Sequence, residues 1–113
     1  MSLRAFELRE LIAEGERSGK PYLEFLRVDN LRAGLCRLSV GNLDPQLPHT
    51  EDEVYYVCAG HARNRVGEED RAVGAGSVVY VAKKVDHKFH SIEENLSVLV
   101  FFAPAEYSNR PPA

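Results

Sequence analysis

The chain has 113 residues, 44% of them hydrophobic and 27% charged, with two cysteines and a formal net charge of -3. That is one globular domain with a single core, too short for two domains and large enough to fold without a disulfide scaffold or a structural metal. Its 14 basic and 17 acidic residues form no like-charge block, which argues against a nucleic-acid partner; the longest apolar stretch, Val98 to Pro104, is far too short to span a bilayer, and the charged first twenty residues lack a signal-peptide core, so a cytoplasmic setting with no membrane partner is expected.

Residues 1–20 hold the helical signal. Phe6, Leu8, Leu11 and Ile12 recur on one helical stripe, Ser2 is available as a cap, and Gly15 and Gly19 mark the far end. From Pro21 the pattern changes to short runs rich in Val, Leu, Tyr and Phe. These predict strands at Tyr22–Val28, Ala33–Val40, Glu53–Ala59, Ala62–Val66, Ser77–Val81, His87–Ile92 and Leu96–Ala103, about seven in all. Turn signals fall at Asp29-Asn30, Gly41-Asn42, Gly60, Gly67-Glu68-Glu69, Gly74-Ala75-Gly76 and Glu93-Glu94-Asn95. No segment after the helix is long enough for a parallel crossover. The expected fold is therefore all-β: an antiparallel sheet, closed or sandwiched, spanning 21–106, with the helix of 1–20 packed outside and 107–113 as a loose tail. Cys36 and Cys58 lie in apolar runs without CxxC spacing and are expected as free thiols in a reducing compartment.

One stretch concentrates metal-capable side chains, Pro48-His49-Thr50-Glu51-Asp52-Glu53-Val54-Tyr55-Tyr56-Val57. Val54 to Val57 favour strand, and four residues of straight strand span about 13 Å, too far for His49 and Glu53 to share an ion at about 2 Å each. Joint ligation needs a chain reversal, for which Thr50, Glu51 and Asp52 are suitable as solvated turn residues. Alternation then puts Glu53, Tyr55, Val57 and Ala59 on one inward face. A carboxylate at the head of an apolar stripe calls for a cation or a hydrogen-bond partner. Further on, alternation sends His87, Phe89 and Ser91 inward and Lys88 and His90 outward, while His61 is expected at the surface. His49, Glu53 and His87 make the two-histidine, one-carboxylate set that holds divalent iron, manganese, nickel or zinc and leaves positions open.

The spacing resembles that of the cupin superfamily. Gly41, five spacers, Leu47-Pro48-His49, three spacers, Glu53, six spacers and Gly60 reproduce the intervals of the first cupin motif, with Leu47 standing where a metal-binding histidine is usual. Gly76, five spacers, Ala82-Lys83-Lys84, two spacers, His87, three spacers and Ser91 reproduce those of the second, with Lys83 and Lys84 in an exposed turn in place of Pro-x-Gly. The resemblance implies a jelly-roll barrel, a homodimer, and His49, Glu53 and His87 as metal ligands, with Gln46 available beside the lost ligand. Gln46, Tyr55 and Phe89 are the candidates to line a substrate. The expected function is a metal-dependent enzyme of dioxygenase, isomerase or lyase type acting on a small anionic or enolisable molecule. The alternative is a non-catalytic ligand-binding or sensor protein.

Overall fold

The computed structural model describes residues 3–42, 44 and 48–104; Ser2, Gln46, Leu47 and the expected tail of 107–113 lie outside them. Helix α1 covers Leu8–Ser18 and is followed by six strands, β1 Tyr22–Val28, β2 Leu31–Leu38, β3 Asp52–Val66, β4 Glu69–Gly74, β5 Val78–Val81 and β6 His87–Ala103. No helix among the described residues is long and apolar enough to cross a membrane.

Glu7 stands at the N-terminus of α1 without a side-chain capping bond, and Gly19 closes the helix in the left-handed conformation at φ 69°, where glycine carries no Cβ penalty. Gly15 is not a terminator. It is buried inside the helix, its carbonyl accepting from Arg37 of β2, and a Cβ there would stand 2.7 Å from Arg37 Nε. Gly15 thus sits directly against the Arg37 side chain of β2, while the Phe6 ring meets that of Phe25 of β1 at 5.0 Å, tilted by 60°.

All strand pairs are antiparallel, in the order β1-β2-β6-β3-β4 with β5 also on β3. Among the described residues six strands replace the expected seven, because two turn signals are bends that merge four expected strands into two and β4 is an additional strand. β3 runs unbroken through Gly60 and β6 through Glu93-Glu94-Asn95. Residues 53–56 of β3 lie between β5 and the end of β6, whereas residues 61–66 lie between β4 and the start of β6. The two long strands bend together, and each passes from one layer of the jelly roll to the other. Tyr55 and Asn64 of the same strand consequently meet across the interior, Asn64 Nδ2 donating to the Tyr55 hydroxyl at 3.4 Å. The second observed hairpin strand begins at Leu31 and ends at Leu38, two residues earlier than expected, and β4, polar at Glu69, Asp70 and Arg71, carries too little apolar alternation to be recognised in the sequence.

The bend changes the side-chain phase. Register shifts between Val57 and Arg63 put Ala59 at the surface, not inside, and the interior row continues at Gly60, Ala62 and Asn64. Ser91 is likewise exposed, with φ 51°, and the row in β6 resumes at Ile92. The expectation that Ala59 and Ser91 point inward fails because strict alternation holds only for an unbulged strand. The interior is filled by Tyr55, Val57, Phe89, Leu96, Val98 and Phe102, each 3% exposed or less. Cys36 and Cys58 are free, buried and half-buried respectively, and burial pushes the Cys36 thiol up to about 12.

Candidate metal centre

Glu53 is the second residue of β3 and His87 the first of β6; both side chains point into the interior and are 1% exposed. The partially buried His49 precedes β3 and reaches the same point because its segment is tied down. The backbone N–H of Lys84 donates to the His49 carbonyl at 2.6 Å, and Asp52 Oδ1 accepts from Lys83 N–H at 3.0 Å and from the Tyr80 hydroxyl at 3.2 Å. The exposed Lys83-Lys84 turn, with Lys84 at φ 65°, thus anchors the chain reversal that brings His49 to Glu53. Glu51 is a correction to the solvated-turn reading. It is 1% exposed and accepts from the Thr50 hydroxyl, because the reversal is packed against the barrel.

One ligand atom from each of His49, Glu53 and His87 lies within 4.8 Å of the other two. The His49 and His87 rings are 5.3 Å apart, and His49 packs edge-on against Phe102 at 4.7 Å. His87 Nδ1 is 3.0 Å from the Val85 carbonyl. A carbonyl only accepts, so Nδ1 carries the proton and, in the neutral ring, Nε2 presents its lone pair to the site. Nε2 stands 3.1 Å from Glu53 Oε1 without hydrogen-bond alignment, and both Glu53 carboxylate oxygens are buried without a hydrogen-bond partner among the described residues.

Electrostatics follow from this burial. Desolvation raises the Glu53 carboxyl, and the His87 contact only partly offsets it. For His87, desolvation pulls downward but the Glu53 contact and charge, with the Val85 carbonyl, outweigh it, so the net direction is up. The pair therefore retains a proton more readily than separate groups do. His49 moves the other way, down to about 4, through burial and repulsion by His87, which keeps it neutral and able to ligate at physiological pH.

Tyr55 and Phe89 are fully buried beneath the cluster, with the Tyr55 ring 6.3 Å from His87 and 5.1 Å from Phe89. They form the floor on which His87 is held. His90 faces the other way and meets Asp70 at 2.7 Å, and the exposed His61 pairs with Glu94 at 3.2 Å, so neither approaches the centre. Asp44 escaped the sequence reading. Its carboxylate accepts from the Phe89 backbone N–H at 2.9 Å, which holds Asp44 beside β6; the Asp-Pro pair at 44–45, a turn signal, marked it locally.

The similarities agree with this architecture. "Uncharacterized protein SCO3923" of Streptomyces coelicolor is 50% identical over 104 residues, covering 92% of this chain and 99% of its own length. An RmlC-like cupin from Shewanella frigidimarina superposes with a TM-score of 0.68 at 21% identity, over 74% of this chain and 75% of that one. An oxalate decarboxylase from B. subtilis gives 0.62 at 27% identity, over 67% of this chain but only 22% of that longer one. Residues 34–102, from the middle of β2 to the end of β6, match the Cupin domain family. With the motif intervals, the jelly roll and the His-Glu-His cluster at its interior end in agreement, the chain belongs to the cupin family.

Proposed function

We propose that this cupin is a metal-dependent enzyme acting on a small anionic or enolisable molecule, with His49, Glu53 and His87 as its metal ligands. The observation that carries the reading is the Glu53 carboxylate, fully buried, without a hydrogen-bond partner among the described residues and flanked by two imidazoles. Such a group is stable only if a proton or a cation neutralises it, and the donor set suits divalent iron, manganese, nickel or zinc. When bound, such an ion supplies Lewis acidity and open coordination positions.

The protein's own contributions can be assigned. Val85 holds His87 in the tautomer that exposes Nε2, Lys84 fixes His49 through its backbone, and Tyr55 and Phe89 keep water from the inner side. Two neutral imidazoles and one carboxylate leave a divalent ion with a net charge of about +1, which favours an anionic substrate in a buried site. The oxalate decarboxylase likeness, an enzyme named for a small anion, supports that substrate class. The free thiols of Cys36 and Cys58 support a cytoplasmic setting.

The test is metal content after growth in supplemented medium. His49→Ala and His87→Ala are each expected to lower bound metal at least tenfold, while His90→Ala, on the outer face, retains it. Equal loss from all three would remove this reading. Wild-type protein without metal would favour the non-catalytic ligand-binding alternative, for which Leu47 in place of the usual histidine is the motivating residue.

Proton coupling gives a second expectation. Ligation needs Glu53 ionised and His87 neutral, yet both are shifted upward in the metal-free protein. Metal binding must therefore release protons, and affinity falls as pH drops through the range where the pair holds its extra proton, by about tenfold per pH unit for each proton released. Calorimetry in buffers of different ionisation enthalpy reads the release. Binding that releases no proton between pH 5 and 7 would contradict the assignment.

A further inference from the structure

A row of side chains crosses the barrel at the level of Glu53. Arg32 on β2 pairs with Phe102 on β6, and Phe102 pairs with Glu53 on β3, so alternation sends all three to the same face. Phe102 and Glu53 are buried there, and the Arg32 side chain is only 12% exposed. Its guanidinium carbon lies 5.7 Å from the centre of the Phe102 ring, the ring that His49 touches at 4.7 Å. Arg32 and the ligand cluster therefore share one phenyl ring as a common neighbour.

Tyr22 on β1 extends this wall. Its ring lies 5.0 Å from the Arg32 guanidinium carbon, and its hydroxyl is buried without a hydrogen-bond partner among the described residues. The hydroxyl occupies the space that a side chain on Gly34 would fill, since a Cβ there would stand 2.1 Å from it. Glycine at 34 thus opens the path by which Tyr22 crosses β2. On the outer side Arg32 Nε meets Glu24 at 3.2 Å, and Glu24 also meets Arg27 at 3.4 Å. Glu24 is 35% exposed, against 1% for Glu53 and His87. The row is thus nearest solvent at its Glu24 and Arg32 end and most deeply buried at Glu53 and His87.

We propose that Arg32 and Tyr22 form the anion-recognising end of this row, and that the substrate is a short dicarboxylate with one carboxylate on Arg32 and the other end toward His49, Glu53 and His87. This rests on the metal reading for the second end only. The guanidinium fork matches a carboxylate in two parallel hydrogen bonds, the Tyr22 hydroxyl is a donor in need of an acceptor, and the Phe102 ring between the two ends suits an apolar methylene spacer.

Titration calorimetry on Mn2+-loaded and metal-free protein tests this, with malonate, succinate and glutarate as probes, succinamide as the neutral control, and metal content measured alongside. At least one diacid is expected to bind the wild type. Arg32→Met should weaken it about 30-fold, and Arg32→Lys and Tyr22→Phe about fivefold each, with metal content and succinamide binding unchanged. Tyr22→Phe removes only a hydroxyl that has no hydrogen-bond partner among the described residues, so folding does not confound it. Equal diacid affinity in wild type and Arg32→Met, or no diacid binding to wild type at 10 mM or below, overturns the proposal while leaving the metal centre standing. If the wild type takes up no metal, the metal-free arms still decide. Diacid binding lost in Arg32→Met then keeps the anion wall and removes the metal reading, and binding indifferent to Arg32→Met removes both.

Discussion

Glu53→Gln is expected to abolish divalent-metal binding while leaving the metal-free fold intact. The substitution keeps the volume of a side chain that is 1% exposed and removes its charge. Wild type with metal at about 100 times its dissociation constant gains about 2.7 kcal/mol, or about 10 °C in Tm for a domain of this size; the variant should gain none. The metal-free comparison has the opposite sign. Glu53 titrates higher in the folded chain than in the unfolded one because burial disfavours its charge. Its contribution to stability is thus present below the unfolded value and lost as pH rises toward the folded one. At pH 8 wild type carries that cost and a glutamine does not, so metal-free Glu53→Gln should melt at or above the metal-free wild type. Thermal scans of both proteins with and without metal read all four states. A metal-induced rise in Tm that survives in Glu53→Gln would show that the ion sits elsewhere.

The largest loss of stability is expected from Gly60→Ala. Gly60 has φ 86° where β3 bends, and a Cβ there would stand 2.2 Å from the Asn95 carbonyl oxygen of β6. The obstacle is backbone, in a paired strand, and cannot rotate aside. Strain from the positive φ and the displacement of β6 together should cost about 3–5 kcal/mol. Gly41→Ala separates the two effects, since Gly41 has φ 81° with nothing among the described residues within 4 Å of its added Cβ. It should cost only about 1–2 kcal/mol. Denaturant midpoints of the two variants make the comparison. Equal losses would mean that the close approach of β3 and β6 contributes nothing. Both glycines belong to the first motif, but Gly60 is held by the close approach and Gly41 by its dihedral alone.

The legible part of the site was local. The His49–Glu53 interval, the β-favouring run from Val54 to Val57 and the period-two phase of His87 and Phe89 are properties of a few neighbouring residues, and each is realised. The same reasoning failed at Ala59 and Ser91, where register shifts and a positive φ interrupt strict alternation, and at Glu51, whose polarity suggests solvent until the Lys83-Lys84 turn packs over its segment. Gly60 carried a true signal for positive φ. Whether that meant a hairpin or a bend in a continuous strand depended on what lies opposite, and Asn95 is 35 positions away.

By itself, then, the sequence determined an antiparallel β domain with one helix, a reversal between His49 and Glu53, and a second inward histidine at position 87, because dihedral preference and alternation act within a few bonds. Only the tertiary structure decided that β3 and β6 each serve both layers, that the Glu53 carboxylate is left without a hydrogen-bond partner among the described residues, and that Arg32 shares its row through Phe102. Those outcomes depend on strand pairing between residues distant along the chain, and the register of that pairing is set by how the whole interior packs.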